Sequence, residues 1–118
     1  MSRKISVGGA LTPNTKTTVY TVPTKNSAYW QLLFLSNHLG SNKSISAWWY
    51  NKHNNTEVVI FDAVNVDAKK TLQFGGNTNE NVVLEEGDEI RLLSETGSSF
   101  TYIITLEVTP KSAVQFNI

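Results

Sequence analysis

Apolar residues in this chain recur at every second position over short runs, and turns rich in Asn, Gly, Ser and Thr separate the runs. The last long run, Ser98–Val108, is the clearest. Phe100, Tyr102, Ile104, Leu106 and Val108 fall on one side, Thr101, Thr105 and Glu107 on the other, and only Ile103 breaks the alternation. A period of two over this length predicts a half-buried antiparallel strand. The same reading predicts strands near Thr17–Val22, Tyr29–Ser36, Ser44–Asn51, Glu57–Val66, Lys70–Phe74, Asn81–Leu84 and Glu89–Ser94, with a short C-terminal run at Val114–Ile118. Strand starts recur about every 8–15 residues, the rhythm of two packed antiparallel sheets. The expected fold is all-β, a single antiparallel β-sandwich of about eight strands over residues 17–118, with a jelly roll among the windings open to it. Residues 1–16 are polar and interrupted by Pro13, and are expected to form an N-terminal arm or edge element.

Two of these runs are apolar on both sides. In Tyr29–Ser36, strict alternation sets Trp30, Leu32 and Phe34 against Tyr29, Leu33 and Leu35. In Ser44–Asn51 it sets Ile45, Ala47 and Trp49 against Trp48 and Tyr50. One side of each strand can enter the core, and the other needs a second partner, because the outer face of a lone sandwich meets water. The surplus apolar set, Tyr29, Leu33, Leu35, Trp48 and Tyr50, is the candidate interface. Val114, Phe116 and Ile118 join it, since an alternating apolar run near a chain end implies docking on something. Self-association follows as the expectation, with a trimer as the assumed closed form. Trp48 and Tyr50 also admit a different reading, a flat aromatic platform that stacks sugar rings.

Composition narrows the chemistry. The chain of 118 residues has no cysteine, so it can build neither a disulfide framework nor a thiolate site, which leans towards a reducing compartment. Ten basic and ten acidic residues cancel without forming long runs, leaving no electrostatic footprint for nucleic acid or for a membrane surface. Met1-Ser2-Arg3-Lys4 lacks the apolar stretch of a signal peptide behind it, so the expectation is use without cleaved export. His38 and His53 both fall in Asn-rich turns and show no metal-ligand spacing. Glu85-Glu86-Gly87-Asp88-Glu89 is the best cation candidate, yet it reads more simply as a tight turn in which Gly87 takes the left-handed conformation and Asp88 binds backbone amides. No nucleophile elbow or phosphate loop occurs, so no catalytic residue and no cofactor is assigned. The Asn-x-Ser/Thr triplets at Asn42 and Asn54 are read as a by-product of composition.

Val19-Tyr20-Thr21-Val22-Pro23-Thr24, followed by the run ending Leu33-Phe34-Leu35-Ser36-Asn37, resembles a block found in small β-sandwich virion proteins of tailed bacteriophages. A second block, Val83-Leu84-Glu85-Glu86-Gly87-Asp88-Glu89-Ile90-Arg91-Leu92, is similar to theirs and stands in the right order. The chain departs from the pattern after the proline, where Thr24-Lys25-Asn26 replaces a segment that usually carries Gly-Lys. The resemblance implies a non-enzymatic, homo-oligomeric capsid decoration or cement protein, assembled in the bacterial cytoplasm onto other virion proteins such as the major capsid protein. A tail, baseplate or fibre-associated protein is the alternative within that resemblance. A carbohydrate-binding module or adhesin domain is the alternative outside it, and rests on Trp48 and Tyr50.

Overall fold

A computed structural model describes residues 2–76 and 82–111. Among the described residues nine strands follow in order: β1 (Arg3–Ala10), β2 (Thr17–Thr21), β3 (Asn26–Asn37), β4 (Lys43–Asn51), β5 (Thr56–Val66), β6 (Thr71–Gly75), β7 (Val82–Leu84), β8 (Glu89–Ser94) and β9 (Phe100–Pro110). All pairing is antiparallel. One sheet runs β1-β9-β3-β6, with β7 also on β3, and the other runs β2-β8-β4-β5. The pairs are nested: β4 with β5, β3 with β6 and β7, β2 with β8, and β1 with β9. A long hairpin folded at the β4–β5 turn and rolled into two sheets gives this order, which is the jelly-roll winding of a β-sandwich. The C-terminal run Val114–Ile118 lies outside the described residues.

The segment 1–16 carries β1, which lies at the end of the first sheet against β9, from Arg3 opposite Val108 to Ala10 opposite Thr101. Its signal in the sequence was weak because Gly8 and Gly9 replace the large alternating residues of a strand. Tyr102, the direct partner of Gly9, fills that space with its ring, whose hydroxyl would lie 3.2 Å from a Cβ at Gly9. An aromatic laid across a strand glycine restores the packing that the glycine lacks.

The core lies between the sheets. β9 contributes Phe100, Ile104, Leu106 and Val108, as its alternation predicts, while Ile103 points outward. β8 contributes Ile90 and Leu92, and β4 contributes Ile45 and Ala47 with Trp49 packed against them. β3 departs from strict alternation. Its buried residues are Ala28 and Trp30, then Leu33, Leu35 and Asn37. The phase changes because Gln31 is an extra residue: Trp30 pairs with Leu106, but Leu32 already pairs with Thr105. A β-bulge of this kind rotates everything beyond it to the opposite face. Leu33 and Leu35, expected on the outer side, are therefore fully buried core residues, and Leu32 and Phe34 take the outer positions instead.

The bulge also divides the strand beside it. Gln31 accepts a hydrogen bond from the Gly76 N–H at 2.9 Å, and the Gln31 carbonyl approaches so closely that a Cβ on Gly75 would lie 2.5 Å from it. Gly75 has a φ of 87°, in the left-handed region. β6 ends there, and β7 resumes the pairing on the other side of the bulge.

Asn37 closes the far end of β3. Its Nδ2 donates to the Ser41 and Val66 carbonyls at 2.9 and 3.0 Å, and its Oδ1 accepts from the Leu39 N–H at 3.0 Å. One buried amide thus joins the β3–β4 loop to the end of β5. At the other end of β3, Lys25 stands where the bacteriophage pattern carries glycine, and it adopts a φ of 66°. The turn takes the left-handed conformation at a residue that has a side chain.

Two substitutions test these backbone assignments. Gly75→Ala meets both the positive φ and the Gln31 carbonyl, and is expected to cost at least about 1–3 kcal/mol. Lys25→Gly removes left-handed strain at a position whose backbone bonds it keeps, and is expected to stabilise by about 0.5–1 kcal/mol after the entropy of glycine is subtracted. Urea denaturation of the two variants measures both signs.

Candidate interaction surfaces

Each sheet has one outer face, and the two differ in chemistry. On the β2-β8-β4-β5 sheet, β4 turns Ile45, Ala47 and Trp49 inward and Trp48 and Tyr50 outward. Neither outward ring is bare. The Lys16 ammonium lies 3.9 Å from the centre of the Trp48 ring, and the Arg91 guanidinium lies 4.0 Å from that of Tyr50. Glu57 on β5 binds both cations, at 2.7 Å to Lys16 and 2.9 Å to Arg91. Arg91 also pairs with Glu89 at 2.8 Å, and Glu89 accepts a hydrogen bond from the Thr18 hydroxyl. Tyr50 donates its hydroxyl proton to Asn55 Oδ1 at 2.6 Å. The network spans all four strands, so each ring face that a cation covers is closed to a sugar.

The electrostatics agree with that geometry. Glu57 is held below the ordinary carboxylate range chiefly by the hydrogen bond from Lys16, which burial opposes and the hydrogen bond from Arg91 and the charges of both cations reinforce. The network escaped the sequence reading because its members are far apart in the chain: Lys16 and Glu57 are 41 residues apart. Only the pairing of β2, β8, β4 and β5 brings them together.

The outer face of the β1-β9-β3-β6 sheet is different. Tyr29, Val83 and Ile103 are 46%, 50% and 49% exposed, and Tyr29 and Val83 are direct cross-strand partners. Phe34 pairs with Ile103, and Leu32 with Thr105, so the bulge delivers Leu32 and Phe34 to this face beside Tyr29. The remaining neighbours are small or uncharged: Ser6 and Gly8 on β1, Thr101 and Thr105 on β9, Ser36 on β3, and Thr71 and Gln73 on β6. Within the described strands of this face the charged positions are Lys4 and Glu107, which stand directly opposite each other, and the Lys111–Glu85 ion pair lies beyond them at the end of the sheet. Of the expected interface set, Tyr29 belongs here, Trp48 and Tyr50 lie on the other sheet beneath their cations, and Leu33 and Leu35 are in the core. Val114, Phe116 and Ile118 lie outside the described residues.

The acidic turn between β7 and β8 is a structural knot. Gly87 has a φ of 85°, as the turn reading requires. Asp88 is buried, and its two carboxylate oxygens accept from the Lys52 N–H at 2.9 Å, the Glu85 N–H at 2.9 Å and the Trp49 indole N–H at 3.2 Å. Both oxygens are therefore engaged by N–H donors. Glu85 and Glu86 lie at the surface, 3.5 and 3.8 Å from the Lys111 ammonium. Among the described residues no group of three His, Cys, Asp or Glu converges to hold a metal ion. His38 is exposed and its Nε2 lies 2.8 Å from the Thr101 hydroxyl, while His53 is an exposed turn residue whose backbone N–H bonds Asn51.

No family model matches the sequence, and no curated protein matches it significantly. Solved structures do resemble the fold. A chain from Bacillus endospore appendages, a family of disulfide-linked pili, superposes with a TM-score of 0.56 over 95% of this chain and 88% of its own, at 11% identity. A chain of infectious bursal disease virus, Gx strain, superposes with a TM-score of 0.59 over 96% of this chain, at 9% identity. This chain spans about a third of that viral chain, 34%. At such identities the likeness establishes the β-sandwich fold.

Two outcomes are expected from this geometry. Asp88→Ala strips three N–H groups of their acceptor and should destabilise by roughly 3 kcal/mol or more, measured by urea denaturation. Glu57→Gln should cost about 1 kcal/mol at neutral pH. Because the folded pKa of Glu57 is depressed, its contribution is complete above the unfolded-state value near about 4.3 and is lost as pH falls through the folded value. The stability gap between wild type and Glu57→Gln should accordingly be flat from neutral pH downward and close only in strong acid.

Proposed function

We propose that this chain is a non-enzymatic, homo-oligomeric structural subunit of a bacteriophage virion, in the simplest case a decoration or cement protein on the capsid. The observation that carries the reading is the apolar patch that Tyr29, Leu32, Phe34, Val83 and Ile103 form on this outer face. A patch of this kind on a domain whose core is already filled marks a protein interface. Support also comes from the resemblance to tailed-bacteriophage virion proteins, since Asn37 at the end of its first block ties the loops at that end of the sandwich. A role in the tail, baseplate or fibre uses the same surface and differs only in the partner protein.

Other readings fare less well. A sugar platform on Trp48 and Tyr50 has to displace Lys16 and Arg91 from the ring faces and break their bonds to Glu57. A pilus of the disulfide-linked kind needs cysteines, and this chain has none. Any filament it formed would rest on non-covalent contacts.

Tagged protein should co-sediment with particles purified from cells that carry the locus encoding it, and labelled protein should be visible on the capsid surface by electron cryomicroscopy. Protein that stays at the top of the gradient overturns the virion reading. Binding on a glycan array that Trp48→Ala abolishes would replace it with the sugar-binding one.

A further inference from the structure

The outer face of the β1-β9-β3-β6 sheet has a shape as well as a composition. Across the middle of the sheet the register sets Gly8, Ile103, Phe34 and Gln73 in one row, and Ser6, Thr105, Leu32 and Gly75 in the next. A ridge of Ile103, Phe34 and Leu32 therefore stands beside a low position at Gly8, while on the other flank the Gln73 side chain reaches over Gly75 and its Nε2 donates to the Gly75 carbonyl at 3.3 Å. Neither glycine can gain a side chain without cost. A Cβ at Gly8 would lie 2.9 Å from the Tyr102 carbonyl, and at Gly75 2.5 Å from that of Gln31. Tyr29 and Val83 extend the apolar ridge towards the start of β3.

We infer that this face packs against the same face of a second copy of the chain, forming a two-fold dimer; the inference rests on the assembly reading above and names the surface and the partner. Four arguments converge on a second copy. A ridge beside a low flank is self-complementary, since a two-fold rotation sets each ridge against its partner's low position at Gly8. Twisted sheets pack face to face with strands nearly aligned only when their twists match, and an identical sheet supplies the same twist. The charges agree too. The face carries Lys4 and Glu107 as its own cross-strand pair, and the whole chain has a formal net charge of 0, so two copies meet without repulsion. The area is also sufficient. β1, β9, β3, β6 and β7 have 8, 11, 12, 5 and 3 residues, and at about 3.4 Å per residue and about 4.8 Å per strand the face measures about 640 Å². That is close to the roughly 800 Å² that each partner buries in a stable interface.

A face-to-face contact of this kind is used up by two copies, so the closed form is a dimer in place of the assumed trimer. A trimer would need two different surfaces on each chain.

Sedimentation and light scattering on the full chain test the inference. The expected mass is twice 13.1 kDa at micromolar concentration. Phe34→Lys and Ile103→Lys, both outward positions, should return it to the monomer with the far-ultraviolet spectrum unchanged, while Val59→Lys on the other sheet should leave the dimer intact. Should Phe34→Lys fail to fold, Val83→Lys gives the same information from a half-exposed position. A monomer at hundreds of micromolar, a trimer, or a dimer that survives Ile103→Lys and Val83→Lys overturns the inference. So does a dimer that appears only when residues 112–118 are deleted, since those residues would then occupy the face within one chain. A wild-type monomer that still co-sediments with particles removes this dimer and leaves the virion role standing; a dimer that never binds particles does the reverse.

Discussion

The extra residue at Gln31 decides more of this molecule than any other single feature. Without it β3 would carry Trp30, Leu32 and Phe34 to one side along its whole length. With it, the strand gives Trp30 to the core from its first half and Leu33 and Leu35 from its second. The Gln31 carbonyl then receives the Gly76 N–H, which ends β6 and lets β7 take over the edge. Core composition, the break in the edge strand and the apolar outer face are three results of one inserted residue. Bulges of this kind are built features, since slipping the register to remove one would turn half a strand inside out.

How far the sequence could be read follows from the same physics. β9 was legible because it runs without interruption and its partners on both sides are strands, so alternation maps directly onto in and out. β4 was legible in its faces for the same reason. β3 was not, because Trp30, Leu32 and Leu33 around the bulge are all apolar, and the single polar Gln31 reads equally well as an ordinary outward residue of an unbroken strand. β1 was read only as an arm or edge because Gly8 and Gly9 remove the side chains that would announce a strand, and Tyr102, ninety-odd residues away, supplies what they lack. The turn at Asp88 was readable in outline from Gly87, yet its three donors come from the turn, from β4 and from the hairpin after β4. Local sequence shows who can turn; only the fold shows whom the carboxylate serves.

The two outer faces illustrate two ways of finishing a β-sandwich. On one, aromatic rings that could attract a neighbour are covered by cations, and the cations are neutralised by Glu57 and Glu89. Its rings are shielded, as sheets protected from unplanned association tend to be, although Val59 beside Trp48 stays exposed. β5, at its edge, is blunted further by bulges: Ala63 sits at a φ of 50° with its N–H bonded to the Ser46 hydroxyl, which interrupts the ladder a stranger could extend. On the other face the rings and aliphatic chains stand uncovered amid hydroxyls. The contrast is one of degree, since Val59, opposite Trp48 on the shielded sheet, is itself exposed.

The pairing of β1 with β9 bears on how the chain comes into being. A ribosome makes Arg3–Ala10 first, and its partner Phe100–Pro110 emerges only after the other strands. The hairpin of β4 and β5 can close early, because its strands are joined by four residues, and each enclosing pair must wait for a longer stretch of chain. Throughout synthesis the first strand has no ladder to join. Its sequence suits the delay: two glycines, a serine, an arginine and a lysine in eight residues give a nascent segment little with which to aggregate. The thinness of β1 as a strand is thus what makes it a safe one to leave until last.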